Sequence, residues 1–299
     1  MESQPPTSVP VSVLDTSPIV EGSSAAEALR NTLDLAQRAD RLGYQRYWVA
    51  EHHGMRGVAS SATSVIIGRI ASSTQRIRVG SGGVLLPNHP PLLLAEQFGT
   101  LEVFHPGRID LGVGRALGGR RQVFDRIRSE AARTAIPFEE QIRELLSCFD
   151  PDQAGRPAAV PAVGNRPSVW LLGSTEFSAH LAGALGLPYA FAGHLNPAGL
   201  GAVQAYRQSF QAPTTGQAEP KVMVSVPVIA ADADEQAHWL AASIKLRLLK
   251  RSRGSMYYCL HRRRRTPIAS QRKTTRSSGG CSTGTSLDRS KQCWAGYGN

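Results

Sequence analysis

Cysteine, acidic charge and long apolar runs are each scarce in all or part of this chain, and each scarcity excludes something. Four cysteines occur in 299 residues, and Cys148 is the one that precedes residue 246. Cys259, Cys281 and Cys293 follow at spacings of 22 and 12, which fit neither a zinc motif nor a disulfide framework. No stretch of about 18 uninterrupted apolar residues is present to cross a bilayer, so no membrane association is expected. The opening MESQPPTSVPVSVLD has neither a basic leader nor an apolar core, which points to a cytoplasmic location. No glycine-rich G-x-G-x-x-G follows the first β-rich run, which counts against a dinucleotide fold.

Acidic residues are missing from one region only. Residues 246–299 carry 13 Lys and Arg against the single Asp288, whereas residues 1–245 carry 21 against 22 Asp and Glu. The formal net charge of +11 therefore belongs to the C-terminal end, and the body is neutral. From Leu246 onward four arginines run from 262 to 265 and apolar periodicity is lost, so the segment cannot bury enough surface to order itself. It reads as a solvated tail, as an out-of-frame segment in place of a final strand and helix, or as a tail with nonspecific polyanion affinity. Specific nucleic-acid recognition is not expected, because no aromatic interleaving accompanies the arginines. The chain thus divides into a flexible N-terminus (1–10), a folded domain (11–245) and a basic tail (246–299), disordered or out of frame.

What is present in the body suffices for a core: 41% of the chain is hydrophobic and 19% charged. Short β-rich runs alternate with helical patterns, the sign of βαβ units and a parallel sheet. Strands are predicted at Val11–Asp15, Tyr44–Val49, Ile77–Gly80, Ile109–Val113, Val169–Leu172, Tyr189–Ala192 and Val222–Ile229. Most are apolar throughout, as in strands covered on both faces. In the first helix Ser24 and Glu27 form a capping-box pattern, Leu29, Leu33, Ala36 and Asp40 trace one stripe, and Gly43 stands where a left-handed C′ residue is wanted. Seven units favour a (β/α)8 TIM barrel that lacks a normal eighth strand and closing helix.

Barrel sites lie at the C-terminal ends of the strands. After YWVA comes Glu51-His52-His53-Gly54, where adjacent histidines point to opposite sides and one faces the mouth. Neighbours on a strand do not converge on one ion, so no metal site is expected there. Ser81-Gly82-Gly83 follows the third run and lets a flat ligand approach the backbone. His89 lies in the stiff Pro87-Asn88-His89-Pro90-Pro91 loop, with Pro91 suited to a first helical turn. Arg115, flanked by glycines, suits an anion. Gly173-Ser174-Thr175 leads into a helix carrying Phe177 and Ser178, whose free N–H groups form an anion site, although a hydroxyl there commonly just caps the helix. The set suggests a large flat cofactor with a phosphate tail.

With these residues in place, the chain resembles the bacterial luciferase-like flavin monooxygenases over roughly residues 11–245. The resemblance rests on VSVLD, YWVAEHHG, IRVGSGGVLLPNHPPLLLAEQFGTLEVFHPGRIDLGVGRALG and VWLLGSTEFSAHLAGALGLPYAFAGH. It implies a barrel, usually a homodimer, that takes reduced FMN from a separate flavin reductase and reacts it with oxygen. The substrate would be a small aldehyde, aliphatic compound or aromatic natural product. By this resemblance His52 is the active-site histidine and moves a proton, and Gly82-Gly83 is a non-proline cis peptide under the flavin. Arg115 contacts the flavin phosphate, and Gly173, Ser174 and Ser178 form the phosphate-binding helix start. Some members use the deazaflavin F420 and transfer hydride without oxygen, which is the alternative. Nothing after Gly254 resembles the family's eighth strand and closing helix, so an inactive remnant is a further alternative.

Overall fold

A computed structural model describes residues 9–116, 121–127, 136–151, 158–213 and 219–252. The first eight residues, and the tail readings from 253 onward, lie outside the described residues.

Strands and helices alternate: β1 (Ser12–Asp15), α1 (Ala25–Arg41), β2 (Arg46–Val49), α2 (Thr63–Ala71), β3 (Arg78–Ser81), β4 (Val84–Leu85), α3 (Pro91–Phe104), β5 (Ile109–Gly114), α4 (Arg121–Ile127), α5 (Phe138–Ser147), β6 (Ser168–Gly173), α6 (Glu176–Ala184), β7 (Tyr189–Phe191), α7 (Gly201–Ser209), β8 (Val222–Val224) and α8 (Asp234–Ser252). A 3-10 turn, Leu86–Asn88, leads into α3. The sheet runs β1-β2-β3-β5-β6-β7-β8 and is parallel throughout. β4 continues the line of β3 past Gly82-Gly83 and pairs with β5 further along, so seven strand positions are filled. Among the described residues β1 pairs only with β2 and β8 only with β7. Among the described residues this curled parallel sheet fills seven strand positions of the barrel expected.

The period of two in each strand sorts the side chains into two layers. Tyr47, Val49, Val79, Leu111, Val113, Leu171 and Phe191 join Ile67, Phe98 and Leu145 of the helices in the main core. Burying each of these large side chains contributes about 1.5–3 kcal/mol. Trp48, Trp170 and Ala190 point the other way and form a separate cluster in the lumen with Leu172 and Met223. The two indoles meet edge to face, with centroids 5.5 Å apart.

Beneath that cluster lies Asp110, fully buried on β5. Its carboxylate accepts from Arg46 Nε (3.0 Å), Trp48 Nε1 (3.0 Å), Arg78 Nε (2.8 Å) and Arg78 Nη2 (2.6 Å). Three neighbouring strands are thereby tied at the lumen floor.

Several details differ from the sequence reading. In α1 the buried residues are Ala28, Thr32, Ala36, Ala39 and Asp40, while Leu29 is exposed. Of the predicted stripe, Ala36 and Asp40 are buried and Leu33 packs against the core, so Leu29 alone departs from it. Ser24 Oγ caps Glu27 N–H at 3.1 Å, but the Glu27 carboxylate takes the Ser23 hydroxyl at 2.7 Å rather than completing a capping box. Gly43 does take φ +77°, and Pro91 does open α3. The strand predicted at Val222–Ile229, β8, stops at Val224. Pro227 lacks an N–H for the ladder, and Val226 and Val228 are exposed. α4 has seven residues, too few to carry a readable periodicity.

Asp40 at the end of α1 accepts N–H groups from Gln75 (2.8 Å), Arg76 (3.0 Å) and Ile77 (2.8 Å), fixing the entry to β3. Burial works to raise its pKa, but these three donors and the Arg76 charge prevail and hold it below 3.8. The stabilisation is complete above pH 3.8 and is lost as pH falls through the lower folded-state value. In urea titrations Asp40→Asn should be less stable than the parent at neutral pH, and the gap should narrow in acid below that value. Asp110→Ala strands two partly buried guanidinium groups and should cost about 3–5 kcal/mol in the same assay.

Candidate active site

Each strand of a parallel barrel delivers its following residue to one rim, and the expected residues gather there: His52 after β2, Gly82-Gly83 between β3 and β4, Arg115 after β5, and Gly173 and Ser174 at the end of β6. His52 is half-buried, and its backbone N–H donates to Ser60 O at 2.9 Å.

The residue beside it, Glu51, was missed by sequence reasoning. The Glu51 carboxylate is almost wholly buried and is a hub. His53 Nε2 lies 2.6 Å from Oε1, and His89 Nε2 lies 2.9 Å from Oε1 and 3.1 Å from Oε2. Leu85 N–H donates to Oε2 at 3.0 Å. Burial would raise the Glu51 pKa, but His89, His53 and the Leu85 amide hold it below the ordinary glutamate value. The available signal was a carboxylate directly after an apolar strand, next to two histidines. What sequence could not supply was His89, which arrives from 38 residues away. The adjacent pair His52 and His53 was judged unable to share an ion; the structure instead groups His53 with His89 and Glu51, with ligand atoms all within 4.8 Å of one another.

The Gly82–Gly83 peptide is cis. A Cβ at Gly82 would stand 2.5 Å from Leu14 Cδ1 and 3.0 Å from Trp48 Cβ, and one at Gly83 would stand 2.9 Å from Gly112 O. Two consecutive peptide units thus face the top of the tryptophan cluster with no side chain between.

Arg115 is exposed, and its guanidinium lies over the Phe177 ring, 4.8 Å from the centroid. Since Phe177 sits in the first turn of α6, the two anion-binding elements read from sequence form one corner. Within it the roles divide. Ser174 is half-buried, and its carbonyl accepts from Asn196 Nδ2 at 2.9 Å. Ser178 is buried; its hydroxyl donates to Thr175 O at 2.7 Å, takes the Thr175 N–H at 3.4 Å and meets Tyr189 OH at 3.1 Å. That hydroxyl braces the helix start. Gly173 is required for the same reason, because a Cβ there would collide with the Ser178 side chain. His194, past β7, also reaches this rim region and was not singled out from sequence; its Nδ1 is 2.6 Å from Ser225 Oγ, and burial lowers its pKa.

Comparison with known proteins decides the family. The profile described as luciferase-like monooxygenase matches residues 9–286. This chain belongs to the luciferase-like monooxygenase family. Among curated relatives, the uncharacterized protein YvbT of Bacillus subtilis is 51% identical over 82% of this chain and 73% of its own length. A luciferase-like monooxygenase of Escherichia coli K12 is 47% identical over 81% and 73%. Among solved structures, apo-MsnO8 superposes with a TM-score of 0.80 at 38% identity, covering 85% of this chain and 76% of its own. The fold also matches the oxygenating constituent of 3,6-diketocamphane monooxygenase from Pseudomonas putida in complex with FMN, with a TM-score of 0.62 at 19% identity, covering 84% and 77%. Among the described residues of this luciferase-like chain no helix is long and apolar enough to cross a membrane.

Gly173→Ala should displace the first turn of α6 from β6 and lower stability by about 1–3 kcal/mol, the usual range for overpacking, as read by thermal unfolding.

Proposed function

We propose that this chain is a flavin-dependent monooxygenase that uses reduced FMN and molecular oxygen on a small organic substrate. The observation that carries the reading is the corner where Arg115 stacks on Phe177 at the start of α6, on the same rim as the bare Gly82–Gly83 peptides and His52. An exposed guanidinium beside a helix N-terminus suits a phosphate. Backbone without side chains suits a flat ring system. The donor set therefore fits FMN, with Arg115, Gly173 and Ser174 at its phosphate, Ser178 holding their helix start in shape, and Gly82 and Gly83 under its rings. Family membership and a fold neighbour that holds FMN support the same reading.

Bound reduced flavin supplies the electrons that oxygen activation requires. The protein's own part is to bind, to dry and to move protons. Trp48, Trp170 and Leu172 line an apolar lumen that excludes water. His52, at the end of β2, serves as the proton carrier. A separate flavin reductase supplies the reduced cofactor, and the chain works as a homodimer; Val65 and Phe104, both strongly exposed on α2 and α3, provide apolar surface for a second copy.

Reduced FMN at about a hundred times its dissociation constant, under anaerobic conditions, should stabilise the protein by roughly 2.7 kcal/mol. Oxygen uptake with reduced FMN supports the reading; F420 reduction without oxygen uptake, or no thermal shift with FMN, overturns it. Arg115→Ala should weaken FMN more than riboflavin, with equal losses for both excluding a phosphate contact. His52→Ala should retain flavin affinity while turnover falls by about 100-fold or more, the usual weight of a general acid or base.

A further inference from the structure

We propose that Glu51, His53 and His89 form a binding site for one divalent transition-metal ion of the zinc type. The three donors are two imidazole nitrogens and one carboxylate oxygen, and all lie within 4.8 Å of one another. Nitrogen in two of three positions favours zinc, cobalt or iron(II) over the oxygen-seeking calcium and magnesium. The geometry needs little adjustment. His53 Nε2 and His89 Nε2 stand 2.6 and 2.9 Å from Glu51 Oε1. A tetrahedral ion with bonds of about 2.0–2.2 Å needs donors roughly 3.3 Å apart, so the two separations from Glu51 open by roughly 0.4–0.7 Å, and the two imidazole nitrogens, within 4.8 Å of one another, adjust around the ion.

The surroundings are those of an open site. Glu51 is 2% exposed and is held from behind by the Leu85 N–H on its second oxygen, an outer bond of the kind that orients metal-binding carboxylates. His53 and His89 are 22% and 29% exposed, which leaves a further coordination position facing solvent. Binding is a simple ligation: each neutral imidazole gives its Nε2 lone pair to the ion with its one ring proton on Nδ1, so no proton leaves a neutral ring and no redox change is involved. The ion would clip the loop after β2 to the turn before α3. It takes neither His52 nor any residue assigned to the flavin, so it stands or falls separately from the proposed activity.

The test uses the full chain with Cys148, Cys259, Cys281 and Cys293 replaced by serine, which removes competing thiolates, after stripping with chelator and in the absence of flavin. Titration calorimetry with Zn²⁺ should give one ion per chain. Co²⁺ should give the visible absorption of a low-coordinate site, and the melting temperature should rise with free metal. Glu51→Gln and His89→Ala should each weaken binding at least about tenfold. His53→Gln, at a partly exposed position, is the variant to use if Glu51→Gln does not fold by circular dichroism. Absence of saturable binding, or binding that these variants leave unchanged, overturns the site and shows a hydrogen-bonded cluster only.

Discussion

Everything at the rim depends on one constraint, that a parallel strand covered on both faces must send alternate side chains in opposite directions. Tyr47 and Val49 go to the helices while Trp48 goes to the lumen, and Leu111 and Val113 go out while Asp110 goes in. A slip of one residue in any strand would exchange the helix-facing core for the lumen contents. Asp110 guards the register, because its carboxylate is matched to donors on β2 and β3 that are correctly placed in one alignment only. The floor is therefore polar and tied, the middle aromatic, and the top free to carry loops.

Close backbone approach is the second organising feature, and glycine makes it possible. Gly80 and Gly112 each bring neighbouring strands so near that a Cβ would strike backbone, and Gly82 and Gly83 continue this at the mouth. The lumen narrows to main chain on one side and to Trp48, Trp170 and Leu172 on the other. The proposed seat for a flat ligand rests on that shape more than on any single polar group.

The fold was legible in sequence because parallel strands are local apolar runs separated by helices; six of the seven runs were found within two residues, and the last overran Val224 by five. The rim positions were legible for the same reason, since each follows a run directly. What was not legible is long-range. Glu51 looked like a flank to two histidines until His89 and the Leu85 amide came to its carboxylate. Ser178 looked like a ligand-facing hydroxyl until Tyr189 and Thr175 were found around it. In the α1 stripe Leu29 alone misled, because hydropathy does not show that the helix buries Ala28 and Ala39 beside Ala36 instead.

The edge-to-face tryptophan pair has an optical consequence. Two of the chain's four indoles lie in the lumen, and Trp48 adjoins the bare peptides at Gly82. Their ultraviolet emission is thus produced inside the very space that a yellow, visible-absorbing guest would occupy. A conjugated ring system seated there would accept their excitation energy at almost contact range. On the proposed function the barrel would carry its own built-in indicator of occupancy, with no label attached.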